Sequence, residues 1–555
     1  MIRYKIKLKS TSSSTGFFSP EPEGFSFSAD CSFDDLKEII KILKKNCLDD
    51  FMKNYAISVI LNSKNRETIT EALINSGSDE EKTLAMEVMI IADKAQDISI
   101  ENLYPFSSLT YLKSFSIRKN PSEKAFSKAV FKNIYQHQFP EKNIIPDRNF
   151  TPESDKIFIK FQISDMNIFE YKQYRDDCRI NDIFNHTLNQ FEKNNLIPGS
   201  EMQHFTALSP FAILRKWYMK TSIQTKNADF SLEGIQTSYG KGMDIDSARI
   251  SCLMEMVERF SSFVSVNNNK ITTRKLYPEI IHITFKEGLK KGLNMLDPNS
   301  LRLDVPYKNE KLFWMKACEL SDMSDKKIYI PIQISYLFCN LPEISLFSAL
   351  DSTGLASGDT KERAKLSGLT EVIERDAEYS SPFIKNNCFR LKAKDEAINT
   401  LFNFYKERGI EFFFQDISSE LGIPVYKCFV YGEDGVVYKG CSGHINGKKA
   451  VLDALFETPY PTHNNLPSKK VPYNIKEIFI EDLPDYSTGS ISGDLKLIED
   501  LFIKNNLKII YSEITRPDID IPVFRTIVPG LEINGDFDEY TRISKRQYEK
   551  LKIIF

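Results

Sequence analysis

Hydrophobic and polar residues alternate along this chain in two different periods. Residues 33–48 and 79–94 carry apolar positions at helical spacing, so the first ~135 residues are expected to be mainly helical after a polar start at Ser10–Ser14. A proline-spaced stretch with Pro140, Pro146 and Pro152 reads as a linker, and the alternating run Lys156–Ile163 reads as a strand. From about residue 185, helical segments alternate with strand-like runs at Lys326–Ile334, Val425–Tyr431, Lys508–Tyr511 and Ile521–Ile527. The expected organisation is a helical N-terminal extension over 1–140, a linker and strand-like segment over 141–184, and a mixed α/β (α+β) domain over 185–555.

One stretch of the C-terminal part occurs twice. Gly242–Arg259 and Gly358–Arg375 coincide at Gly242/Gly358, Ala248/Ala364, Ser251/Ser367, Leu253/Leu369, Glu255/Glu371, Glu258/Glu374 and Arg259/Arg375. Such an internal repeat predicts two pseudo-symmetric halves, each bringing a matching helix to a common centre. Residues three apart share a helix face, so Glu255 with Glu258, and Glu371 with Glu374, form two paired carboxylate surfaces. If they converge, repulsion and desolvation require cations between them. Oxygen-only ligation suits a hard ion such as Mg²⁺, and a Glu-x-x-His pattern for iron is absent. All six His (His137, His186, His204, His282, His444, His463) lie outside both repeats.

Small-residue loops precede each helix, Ser238-Tyr239-Gly240-Lys241-Gly242 and Gly354-Leu355-Ala356-Ser357-Gly358. Free N–H groups at the helix starts would favour an anion there, and Asp359 with Glu362 reads as a capping box. A nucleoside triphosphate held by Mg²⁺ satisfies both loops and acids.

These two motifs in order resemble the YcaO family, whose signature pairs a Gly-Lys-Gly loop and Glu-x-x-Glu-Arg helix with a Gly-Leu-Ala-Ala-Gly-Asn-like loop and a Glu-x-x-Glu-Arg-Asp helix. The resemblance spans about residues 185–555. It implies an enzyme that uses ATP and Mg²⁺ to phosphorylate a peptide-bond oxygen after nucleophilic attack, leaving an azoline, thioamide or amidine. Carried over by position, Glu255, Glu258, Glu371 and Glu374 would hold metal, and Lys241 and Arg375 would face phosphates. Ser238, Gly240, Gly242, Asp359, Glu362 and Glu457 complete the implied nucleotide site. A third family feature, a Gly-rich loop leading to a helix with a Glu, resembles Gly440–His444 leading to Ala454–Glu457. Arg363 stands where the family has Glu, and Thr458-Pro459-Tyr460-Pro461 should end that third helix near Glu457. These departures support a second reading, a non-catalytic accessory subunit serving a partner such as a methylthiotransferase. The terminal Leu551–Phe555 lacks the Pro-rich tail of azoline-forming members, which argues against heterocycle formation. The implied partners are a peptide or protein substrate, delivered by another protein, and a second copy of the chain.

Charge and composition exclude other classes. A net charge of -3 and pI near 6.2 supply no basic excess for nucleic acid. Nine Cys without a Cys-x-x-Cys pair suit a reducing cytoplasm, and Cys441 reads as a buried thiol rather than a nucleophile. No run of about 18 apolar residues suggests a membrane span.

Overall fold

The computed structural model describes residues 2–10, 15–17, 21–46, 48–76, 78–92, 121–138, 159–176, 182–224, 228–267, 270–271, 280–303, 305–321, 324–339, 342–347, 351–461, 467–471, 475–532 and 543–552. The chain opens on a strand, β1 (Ile2–Ser10), in a region expected to be helical. Tyr4 and Ile6 are buried while Arg3 and Lys5 face outward, the two-residue alternation of a half-buried strand. Four helices follow, α1 (Lys37–Lys45), α2 (Asp50–Asn62), α3 (Arg66–Ile74) and α4 (Asp79–Ile91). The two expected regions are thus helical over 34–45, the first three residues a 3-10 turn, and over 79–91, while 47 and 93–94 lie outside the described residues. Helix α5 (Pro121–Ile134) comes next. Pro140, Pro146 and Pro152, and Lys156–Phe158, lie outside the described residues. The remainder of the expected strand, residues 159–163, is not one: 159–162 are irregular and Ile163 starts a 3-10 turn. The Asn505 side chain accepts from the amides of Lys160 (2.7 Å) and Phe161 (2.9 Å), taking the place of a neighbouring strand.

A long hairpin follows, β2 (Phe211–Gln224) and β3 (Ala228–Gly242). β1 pairs with β3 in parallel, from Ile2 opposite Ala228 to Lys7 opposite Glu233. Tyr4 stacks on Phe230 at 4.9 Å, and its hydroxyl donates to Asp49 (2.6 Å), the residue that caps α2. The first strand therefore belongs to the sheet that carries the first motif. Helices α1–α4 contribute Ile39, Leu43, Met52, Ile60, Leu73 and Leu84 to the same core, and the turn before α1 adds Leu36.

Helix α6 (Ile245–Ser261) carries the first acid pair. Strands β4 (Leu312–Ser321), β5 (Ser324–Pro331) and the short β6 (Leu355–Ser357) start a second sheet, and α7 (Lys361–Ser380) carries the second pair. A third sheet contains β7 (Cys388–Lys392), β8 (Phe413–Asp416), β9 (Val425–Tyr431) and β10 (Val437–Gly443), covered by α8 (Gly447–Glu457). After α9 (Ile491–Lys504), strands β11 (Ile509–Glu513) and β12 (Val523–Ile527) return to the second sheet, giving the order β5-β4-β11-β12-β6. Every β12 side chain is buried, as expected of a central strand covered by α7. The chain described ends on α10 (Lys545–Lys552), whose Leu551 packs with Phe126, Val130 and Ile134 of α5.

Candidate active site

Each acid-bearing helix follows directly from a strand: β3 runs into α6, β6 into α7 and β10 into α8. Glycines let these strands lie close to their helices. A Cβ at Gly240 would stand 1.8 Å from the Ala248 carbonyl oxygen, and one at Gly440 would stand 2.3 Å from that of Ala454. Gly354 has a φ of +78°, and its Cβ would meet the Thr526 carbonyl at 2.2 Å. The helix starts are already capped. Asp244 accepts from Ser247 N–H, Thr360 from Arg363 N–H, and Asn446 from Lys449 N–H. This corrects two expectations: the first-turn amides are not all free for an anion, and the cap of α7 is Thr360, not an Asp359–Glu362 box. Asp359 instead accepts from Thr360 N–H and from Arg363 Nε (2.7 Å). Glu362 points from the first turn into solvent.

The amides that matter lie in the strands and loops. Glu255 accepts from Tyr239 N–H (2.8 Å) and Glu371 from Gly354 N–H (3.1 Å), each bond closing one strand–helix unit on itself. The second acid of each helix reaches the next unit. Glu258 accepts from Ser357 N–H (3.0 Å) of the second, and Glu374 from Gly443 N–H (3.2 Å) of the third. Glu457, the last residue of α8, returns to the first unit through Lys241 Nζ (2.7 Å). Helix α6 packs on β6, α7 on β10 and α8 on β3, so the three units close into a ring. The helix stop expected near Glu457 is observed, and it places this carboxylate beside Lys241.

Burial dominates the electrostatics. Desolvation raises the Glu255 carboxyl, and raises Glu258 to about 8, Glu371 to about 7 and Glu374 to about 8. Glu258 and Glu371 repel each other, as do Glu371 and Glu374. The nearest cations are the arginines closing each repeat. Arg259 is 9% exposed, with Nη2 3.5 Å from Glu255 and, among the described residues, no hydrogen-bond partner for the buried Nη1. Arg375 lies 2.9 Å from Glu378, 3.5 Å from Glu374 and 4.0 Å from Glu371. The buried Arg525 is a third arginine acting on Glu371, so four half-buried carboxylates against three arginines leave a net negative charge that favours a cation. Among the described residues, no three His, Cys, Asp or Glu side chains form a ready metal cage. Mg²⁺ needs none, because it binds through one or two carboxylates and keeps its own water.

The remaining predicted residues divide by position. Ser238 is fully buried and its hydroxyl accepts from Trp217 Nε1 (3.1 Å), so it supports the loop from below. Gly242 N–H donates to Ser209 Oγ (3.2 Å). Arg363 is exposed and paired with Asp359. Burial pushes the Cys441 thiol well above its ordinary range, keeping it a neutral thiol. Ser357, Gly443, Glu378 and Lys427 were not singled out as ligands by sequence. Glu378 carried a readable signal, since it follows Glu374 by four residues and Arg375 by three and so shares their side of α7.

Strand–helix units presenting half-buried acid pairs, a lysine and arginines around one centre define a nucleotide- and cation-binding class of site. The family model for YcaO cyclodehydratase, ATP- and Mg²⁺-binding, matches residues 239–459 and 458–532, more than half of the chain. The chain belongs to the YcaO family, and its cofactors are ATP and Mg²⁺. An uncharacterized protein of Methanothermobacter thermautotrophicus is 27% identical over 332 residues, covering 53% of this chain and 81% of the relative. An uncharacterized protein in the tfuA 3′ region of Rhizobium leguminosarum bv. trifolii is 21% identical over 336 residues, covering 53% and 76%. Among solved structures, a heterocyclase in complex with substrate and cofactor aligns with a TM-score of 0.47 at 18% identity, over 62% of this chain and 52% of that one. This chain thus spans about half the length of that heterocyclase. YcaO from Methanopyrus kandleri bound with AMPPCP and Mg²⁺ aligns with a TM-score of 0.40 at 19% identity, over 65% and 93%.

Proposed function

We propose that this chain is an ATP- and Mg²⁺-dependent enzyme that activates a backbone amide of a peptide or protein by phosphorylating its oxygen. The observation that carries the reading is the pair of repeated Glu-x-x-Glu helices with half-buried acids, whose second acids are each held by the next unit's backbone. In this reading Glu255, Glu258, Glu371 and Glu374 hold Mg²⁺, while Lys241 and Arg375 face the phosphates. Gly240, Gly242 and Asp359 shape the surrounding loops, Ser238 supports the first from beneath, and Glu457 sets the direction of Lys241. Bound Mg²⁺ would offset the negative charge that develops on the transferring phosphoryl group. The protein's own part is to exclude water and fix positions. An amide oxygen leaves poorly, and its phosphate ester leaves well, so the product class is a thioamide, azoline or amidine according to the nucleophile. Residues 185–555 form the ATP-binding domain, with β1 completing its first sheet. The departure at Arg363 weighs little for an accessory subunit, because its charge is matched by Asp359 in solvent.

Calorimetric titration of ATP with and without Mg²⁺ tests the site, using the unmodified chain and a Glu255→Gln/Glu371→Gln variant. Mg²⁺-dependent binding that disappears in the variant is expected. Equal binding by both proteins would refute the assignment of the acids.

A further inference from the structure

Arg375 makes its shortest ionic contact outside both repeats. Its Nη1 lies 2.9 Å from Glu378 Oε2, closer than either acid of its own repeat. The other oxygen, Glu378 Oε1, lies 3.0 Å from Lys427 Nζ. Lys427 sits in β9, hydrogen-bonded on both sides by β8 and β10, and is 4% exposed. It is therefore a fixed cation on a rigid strand. Burial alone would raise the Glu378 carboxyl, yet Lys427 and Arg375 outweigh it and hold the group well below its ordinary range. Lys439 adds a further cation on the next strand, donating to the Tyr135 carbonyl (3.3 Å).

Resting on the assignment of Arg375 to the phosphates, we infer that Glu378 is a positioning residue, bridging Arg375 to Lys427 so that the guanidinium keeps one direction. The reason lies in competition for acids. Glu371 and Glu374 are assigned to Mg²⁺, and an arginine anchored on them alone would lose its partners when the cation binds. Glu378 is the contact that remains. A planar guanidinium held on one edge by a carboxylate keeps its other edge directed at a second anion. Lys427 balances the Glu378 charge, so the positive field of Arg375 is not cancelled where the phosphates lie.

The test is Mg²⁺-ATP affinity measured on the full chain together with its melting temperature. The Glu378→Gln variant strands Lys427 without its partner and should lose both stability and affinity. Glu378→Gln/Lys427→Met removes both buried charges, which restores the melting temperature. ATP binding by this double variant should still be about tenfold weaker, the size of one lost charge-assisted contact. In an Arg375→Gln background the same two changes should add nothing, because Glu378 acts through Arg375. The double variant carries the test even if the single one does not fold. Parental affinity in it, or an undiminished loss in the Arg375→Gln background, would overturn the inference alone. An unmodified chain that bound no ATP would overturn both the inference and the function on which it rests.

Discussion

Replacing Arg546 with Met should destabilise this protein by about 3–5 kcal/mol, the cost of breaking a buried ion pair from one side. The Arg546 guanidinium grips Asp376 at 2.7 and 2.9 Å as a two-pronged fork, with side chains 9% and 1% exposed. Once it is gone, the Asp376 carboxylate keeps Glu532 N–H (3.0 Å) and no cation among its described contacts. The second arm of Arg546, to Glu420 at 2.7 Å, ends on a side chain 41% exposed and contributes under about 1 kcal/mol. Glu420→Gln is therefore the control. α10 also donates from Gln547 to the Tyr379 carbonyl (2.7 Å), so losing the fork loosens the end of α7 immediately after Arg375. Urea unfolding followed by tryptophan fluorescence reads the effect, since Trp217 and Trp314 are buried and report on tertiary structure. A loss no larger in Arg546→Met than in Glu420→Gln would refute the reasoning.

Three further outcomes follow from the geometry. Gly440→Ala places a methyl against the backbone of α8, 2.3 Å from the Ala454 carbonyl and 2.6 Å from Thr458 N, and should cost roughly 1–3 kcal/mol by thermal unfolding. Lys241→Met removes a pair whose Glu457 partner is 53% exposed, so calorimetry should show stability changed by less than about 1 kcal/mol and Mg²⁺-ATP affinity lowered about tenfold. Burial raises Glu343 to about 8, with Phe313 N–H and Gln333 Nε2 as its donors. Its stabilisation is complete below the ordinary carboxyl range and lost as pH rises through about 8, so Glu343→Gln should flatten the fall in melting temperature between about pH 5 and 8. An unchanged slope would remove Glu343 from that account.

The acid pairs, their repeat, the strands at Val425–Tyr431 and Val523–Ile527 and the end of α8 were legible because each rests on neighbours within a few residues. Three-residue spacing sets a helix face, two-residue alternation sets a strand face, and Pro459 cannot continue a helix. β1 was missed, although Ile2, Tyr4 and Ile6 alternate there with Arg3 and Lys5, because a single short alternation is weak without its partner, and Ala228–Glu233 lies more than 200 positions away. The cap of α7 moved by one residue because Thr360 and Asp359 both can cap, and only the path of the chain out of β6 decides between them. Over residues 159–163 the expected strand gave way to Asn505 because a backbone N–H donates to any well-placed oxygen, and which oxygen arrives is a long-range matter. The same holds at the site. Spacing put two carboxylates on each helix, while packing chose Ser357 and Gly443 to meet Glu258 and Glu374, and Lys427 to meet Glu378. Local periodicity is written in the order of residues, whereas the burial that raises the acids, and the bonds that direct them, exist only once distant segments are brought together.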